Sequence, residues 1–248
     1  MKTFFKTLKW ILLTILVLVV GLYTFGYGYI FKGIQVVYFT GHTTAFIDDY
    51  QYFDNRTIEA SKPQIWQIAK YPIATNPTKR LQQTHKEFGT VAFLIIKNGK
   101  IWYENYADGY EKDSKTNSFS MAKSITVSLL FKAIQDGYIK SLDQPITDFF
   151  PDFRGEYAKR STVGDLASMS SGLNWDEQYY SPFSMTAKSY YDSNIRDLIF
   201  NLKINEQPGQ SFKYLSGNTQ LLGMIIEKAT QKSLSEYLSQ SFWRPLGM

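Results

Sequence analysis

Phe119-Ser120-Met121-Ala122-Lys123, continued by Ser124-Ile125-Thr126-Val127-Ser128-Leu129-Leu130-Phe131-Lys132-Ala133-Ile134-Gln135, is the stretch on which the reading of this chain turns. Ala122, Ile125, Leu129, Leu130, Ala133 and Ile134 make it apolar on nearly every side, and Gly137 stands where a left-handed residue closes a helix. The pattern predicts a buried central helix that opens at Ser120.

A serine hydroxyl is a weak nucleophile until a base takes its proton. The usual imidazole base has no triad context here, and no Gly-x-Ser-x-Gly turn exists. Ser120 and Lys123 offer another route. Three residues are nearly one helical turn, so the amine falls on the same face as the hydroxyl. Burial on an apolar helix would favour the uncharged amine, which accepts a proton or polarises a nearby phenol. The helix N-terminus adds free N–H groups, so the Ser120 amide is a candidate oxyanion donor. Ser-x-x-Lys by itself is cheap, with about one chance match expected in a chain of this content. Here it occurs once, after a hairpin and at the start of the predicted central helix.

Upstream, Thr90 to Ile96 and Ile101 to Tyr106 are β-branched, aromatic and apolar, and Asn98-Gly99 lies between them, which predicts an antiparallel hairpin. Downstream of Pro145 the texture becomes helical. Thr162 with Asp165, and Ser233 with Glu236, have capping-box spacing, so a helical lobe follows. Residues 33–86 are aromatic and irregular, punctuated by Gly41, Pro63, Pro72 and Pro77. They read as a tether and wrapping segment without chemistry of their own.

The N-terminus reads differently. Trp10 to Phe31 is a run of 22 residues without formal charge, preceded by Lys2, Lys6 and Lys9, and about 20 apolar residues span a bilayer as a helix. The first alanine is Ala45, so a small-x-small cleavage site is missing and retention as an anchor over residues 1–32 is expected, with cleavage near Gly26 or Gly28 as the alternative. The lysines stay on the cytoplasmic side, placing the rest of the chain outside it, on the periplasmic side, with Trp10 and the Tyr23 to Tyr29 aromatics at the two interfaces.

Composition closes several function classes. The net charge of +5 includes four lysines within the first 32 residues, leaving +1 for the remainder, too little for a nucleic-acid footprint. There is no cysteine, and His42 and His85 are isolated. Thiol chemistry, disulfides and a histidine-built zinc site are therefore not expected, nor is any metal or cofactor.

Further segments fall in a recognisable order: Asp165-Leu166-Ala167-Ser168-Met169-Ser170-Ser171-Gly172-Leu173, then Pro208-Gly209-Gln210-Ser211-Phe212-Lys213-Tyr214, then Pro245-Leu246-Gly247-Met248. With the hairpin and Ser120-x-x-Lys123 they make the chain from about Thr90 onward resemble the serine β-lactamase and penicillin-binding-protein superfamily. The nearer likeness is to class C β-lactamases, their esterase relatives and the nylon-oligomer-hydrolase branch. The resemblance implies an α/β (α+β) fold, an antiparallel sheet flanked by helices plus a helical lobe, over residues 87–248. It also implies a serine hydrolase acting on an ester or amide, a β-lactam or short amide among them. Ser120 would be the nucleophile, with Lys123 beside it and Tyr214 as the tyrosine that shuttles protons. The family's Tyr-x-Asn reads Tyr214-Leu215-Ser216-Gly217-Asn218 here. Ser216 thus takes the Asn place, set to donate to a substrate carbonyl or to Lys123, while Asn218 is read as capping a helix that begins near Thr219, or as a second binding side chain. Trp175, Tyr179 and Tyr180 line the cleft or pack the lobe.

The family's third motif, Lys or His followed by Thr or Ser and Gly on an edge strand, has no match before Met248. The C-terminal strands are thus expected to be missing and the domain incomplete, at a cost on the order of 10² in rate for one absent oxyanion donor. Two other functions stay open on this reading: a membrane-tethered cell-wall or penicillin binder without turnover, and an inactive truncated product.

Overall fold

A computed structural model describes residues 1–59, 61–70 and 77–248; Pro72, read above as punctuation, lies outside them. The chain opens with α1 (Lys2–Thr24), 23 residues without a buried side chain. It is long and apolar enough to cross a membrane, about 34 Å at 1.5 Å per residue against a hydrocarbon core of about 30 Å. After Phe25 to Gly28 comes α2 (Tyr29–Val37), whose buried face is Tyr29, Val36 and Val37.

The sheet has three described strands: β1 (Gln67–Ile68), β2 (Ala92–Lys97) and β3 (Lys100–Tyr106), in the order β1-β3-β2. The hairpin β2–β3 is antiparallel, with Ala92 facing Tyr106 and Lys97 facing Lys100. Asn98 and Gly99 both take positive φ (52° and 71°), the twist that a two-residue turn between right-twisted strands requires. The expectation of a purely antiparallel sheet needs correction, because β1 pairs parallel with β3 through Gln67–Lys100 and Ile68–Ile101. That strand comes from the wrapping segment. Two residues carry no readable alternation, so no periodicity announced it. Between β1 and β2 lies α3 (Lys79–Phe88), capped by Thr78 and closed by Gly89 in the left-handed conformation.

Next come α4 (Met121–Gln135), α5 (Val163–Ala167), α6 (Met185–Tyr191), α7 (Ile195–Phe200), α8 (Ser216–Thr230) and α9 (Leu234–Leu238). Thr162 and Asp165 form the full reciprocal capping box at α5, and Ser233 caps α9 through the Glu236 N–H. Gly137 takes φ +80° after α4, and the Tyr138 N–H reaches the Ala133 carbonyl across it. The core lies where α8 meets α4, α5, α7 and α9. Its fully buried side chains include Leu130, Leu166, Ile199, Leu221, Leu222, Ile225 and Ile226.

α4 itself departs from the expectation of burial on every side. Its buried residues are Leu129, Leu130 and Ala133, all in its second half. Met121 and Phe131 are 63% and 54% exposed. The helix covers one side against α8, and the end that carries Ser120 and Lys123 is open.

Candidate active site

Ser120 occupies the N-cap position of α4, yet its backbone is already helical (φ −65°, ψ −12°) and its side chain makes no cap hydrogen bond. A serine at this position ordinarily spends its hydroxyl on an amide of the first turn. Here the Ser120 Oγ instead accepts from Lys123 Nζ at 3.2 Å. The first turn is tight, with the Met121, Ala122 and Lys123 amides bonded to the carbonyls of Ser118, Phe119 and Ser120.

That geometry depends on the residue before the serine. Phe119 has φ +44°, a left-handed conformation costing a β-carbon-bearing residue about 1–2 kcal/mol. It persists because the Phe119 N–H donates to Asn117 Oδ1 at 2.9 Å. Asn117 is fixed in turn: its Nδ2 donates to Asp49 Oδ1 at 2.9 Å and to the Tyr190 hydroxyl at 2.8 Å, and its backbone N–H reaches the Ile47 carbonyl at 2.6 Å. Asp49 is fully buried and also accepts from the Tyr190 hydroxyl at 2.8 Å. Burial first, and then the Asp49 carboxylate, raise the Tyr190 phenol above the usual phenol range and hold it protonated. The segment read as a chemistry-free wrap thus supplies the buried carboxylate that braces the turn before Ser120. A lone Asp-Asp pair in an irregular stretch gave no signal for this, because its partners lie 68 and 141 positions away.

Tyr214 comes to the same place from the other lobe. Its segment is pinned by the Lys213 N–H to the Met169 carbonyl (2.8 Å) and the Gly209 N–H to the Ser170 carbonyl (2.9 Å). The Lys123 amine lies 5.1 Å from the centre of the Tyr214 ring, a cation–π distance. Ser120, Lys123 and Tyr214 are therefore brought together.

Ser216 departs from the expected partners. Its N–H and Oγ both donate to Glu177, to Oε2 at 2.6 Å and to Oε1 at 2.7 Å. Glu177 Oε1 also accepts from the Tyr179 hydroxyl at 2.6 Å. A carboxylate at the first turn of α8 suits the positive end of the helix dipole. Partial desolvation, followed by the bond to Glu177, pushes the Tyr179 phenol up to about 12, although the residue is 66% exposed. Sequence reasoning missed Glu177 because nothing local distinguishes it from neighbouring Asp176, and its partner Ser216 is 39 positions away.

Asn218 does not cap. α8 begins at Ser216 with Leu215 as N-cap, which places Asn218 inside the first turn, fully buried. Its Oδ1 accepts from Ser171 Oγ at 2.5 Å and its Nδ2 faces Met169 Sδ at 3.6 Å. It ties the Ser170-Ser171-Gly172 loop to α8. Gly172, at φ +73°, allows that loop to touch the neighbouring strand-like segment, since a β-carbon there would sit 2.1 Å from the Glu206 carbonyl oxygen. Trp175 belongs to the core at 7% exposure, pressed on Gly217, where a β-carbon would come within 2.6 Å of the indole. Tyr179 and Tyr180 are exposed, 66% and 91%. Among the described residues no group of three or more His, Cys, Asp and Glu is arranged to hold a metal ion.

The chain is similar to known proteins over the part that builds this site. The β-lactamase family model matches residues 78–248. Protein flp of Staphylococcus aureus is 29% identical over 169 residues, covering 63% of this chain and 33% of flp. The 6-aminohexanoate-dimer hydrolase of Paenarthrobacter ureafaciens is 25% identical over 177 residues, 67% of this chain and 45% of that protein. The chain thus spans less than half the length of these curated relatives. Among solved structures, a Bacillus anthracis protein assigned as a 6-aminohexanoate-dimer hydrolase superposes with a TM-score of 0.65 at 23% identity, covering 80% of this chain and 57% of that one. FmtA from Staphylococcus aureus superposes with a TM-score of 0.50 at 19% identity, covering 74% and 51%. These solved structures share the fold, and with more than half of its length matched by the family model, this chain belongs to the β-lactamase family.

Proposed function

We propose that the protein is a serine hydrolase of esters or amides, with Ser120 as nucleophile, held outside the cytoplasm by α1. The observation that carries this reading is the uncommitted Ser120 hydroxyl: it caps nothing, stands at a helix N-terminus, and lies 3.2 Å from the Lys123 amine. In the proposed reaction Ser120 Oγ bonds to the carbonyl carbon while its proton passes to the pair formed by Lys123 and Tyr214. The oxygen that gains charge is met by the Ser120 amide at the end of α4. As the tetrahedral species collapses, the bond to the leaving alcohol or amine breaks. The Lys123 and Tyr214 pair returns the proton to that group. Water then attacks the acyl-serine by the same path and releases the acid. Membership of the family and the likeness to the Paenarthrobacter ureafaciens dimer hydrolase support hydrolysis as the reaction class.

A fluorophosphonate probe applied to the 248-residue chain tests this directly. Wild type is expected to label covalently and Ser120→Ala to lose labelling by about 10³-fold or more, since removal of a nucleophile has effects of that order. Equal labelling of the two would refute the reading. Stoichiometric acylation by a penicillin or ester without release would instead favour a binder that does not turn over.

A further inference from the structure

We infer that the loop Tyr179-Tyr180-Ser181-Pro182-Phe183 is a membrane-contact surface that inserts its aromatic side chains into the lipid headgroup layer beside the exit of α1. The inference rests on the reading of α1 as an anchor. Tyr27 stands just past α1, where its N–H closes the helix end by bonding the Leu22 carbonyl at 2.8 Å across left-handed Gly26, so it is held directly at the end of the spanning helix. Its ring meets Phe183 edge to face with centroids 5.2 Å apart. Two residues on, the Tyr29 hydroxyl donates to the Pro182 carbonyl at 2.9 Å. The headgroup layer on each side of a bilayer is about 5–8 Å thick. A loop clasped at this point lies within that layer whenever α1 crosses the hydrocarbon.

The side chains fit this place. Tyr179, Tyr180 and Phe183 are 66%, 91% and 58% exposed. Singly exposed aromatics are ordinary on any surface, but three within five residues, clasped to a membrane exit, have the composition of an interfacial belt. The same loop reaches the candidate active site. Glu177 accepts from Tyr179 and from Ser216, and Tyr214, two positions before Ser216, packs against Lys123. Contact with lipid would therefore hold one wall of that site at the bilayer surface.

The chain lacks cysteine, so Val17→Cys, Tyr180→Cys and Phe183→Cys each provide one attachment point for an NBD fluorophore on the full chain, reconstituted into phosphatidylcholine–phosphatidylglycerol vesicles. Labels at 180 and 183 are expected to be quenched several-fold more by a headgroup-nitroxide lipid than by one with the nitroxide deep in the acyl chain. The label at 17 should show the opposite order. If 17 is quenched from the acyl chain while 180 and 183 respond to neither lipid, the contact surface is refuted and the anchor stands. If 17 also responds to neither, the anchor reading falls and the inference with it. Position 180 is nearly fully exposed, so its label leaves packing intact; agreement of 183 with 180 excludes an effect of one attachment site.

Discussion

α4 and α8 are each 15 residues long, and the more apolar of the two is the less buried. α4 carries nine hydrophobic side chains and α8 six. Yet α8 buries eight residues, Gly217, Asn218, Leu221, Leu222, Gly223, Ile225, Ile226 and Thr230, whereas α4 buries three. The difference lies in what surrounds them. α8 is enclosed by α4, α5, α7 and α9, while α4 leans on α8 along one side. Small and polar residues of α8 are buried because they serve contacts: Gly217 receives Trp175, Gly223 receives Leu234, and Asn218 receives Ser171. The open end of α4 carries Ser120 and Lys123. α8 is scaffold along its length, and α4 is scaffold only in its second half.

The comparison can be broken by mutation. Leu222→Ala in α8 should destabilise by about 2–5 kcal/mol, the range for a truncated core leucine. Phe131→Ala on α4, although a larger deletion, should cost less than about 0.5 kcal/mol because its side chain is exposed. Thermal unfolding in detergent decides between them, and similar losses would show that α4 is as enclosed as α8. Asn117→Ala sharpens the account of the open end. It removes the acceptor of the Phe119 N–H and leaves buried Asp49 and Tyr190 each short of a partner, an effect of about 1–3 kcal/mol. It should also slow labelling of Ser120 more than Leu222→Ala does at matched fractions folded, since it releases the turn before the proposed nucleophile.

A small effect concerns the closed end of α4. Lys132 donates to Asp136, and the Tyr237 hydroxyl of α9 does so at 2.9 Å. The Lys132 ammonium above all holds the Asp136 carboxyl below its ordinary value of 3.8. A carboxyl lowered by folding contributes stability that is fully present above 3.8 and is lost as pH falls through its lower folded value. The pair is exposed, so the contribution is about 0.2–1 kcal/mol. Asp136→Asn should lower the melting temperature slightly at neutral pH and flatten its fall below pH 4; unchanged acid sensitivity would remove Asp136 from the account.

Much of this was legible beforehand because it is local. Asn98-Gly99 between β-branched runs specifies a turn with two positive φ angles, Thr162 and Asp165 are close enough to cap each other, and Gly137 ends a helix wherever one arrives. Ser120 and Lys123 share a face through helical spacing alone. The pairing of Tyr214 with Lys123 was expected only through the order of family motifs, since 91 residues separate them and no periodicity joins them. The bracing by Asp49, the capture of Ser216 by Glu177 and the parallel strand β1 left no local trace. Each is a contact between segments whose own patterns are irregular.

By itself the sequence determined the spanning-length apolar run, the hairpin, the helix boundaries set by caps and glycines, and the Ser-x-x-Lys pair, all of which depend on interactions within about one turn of chain. Only the tertiary structure decided which apolar helix became core, that Trp175 and Asn218 serve the scaffold, and that a buried aspartate from the wrapping segment holds the turn before Ser120. Burial and hydrogen-bond satisfaction are properties of what packs around a residue, and chain neighbours do not specify them.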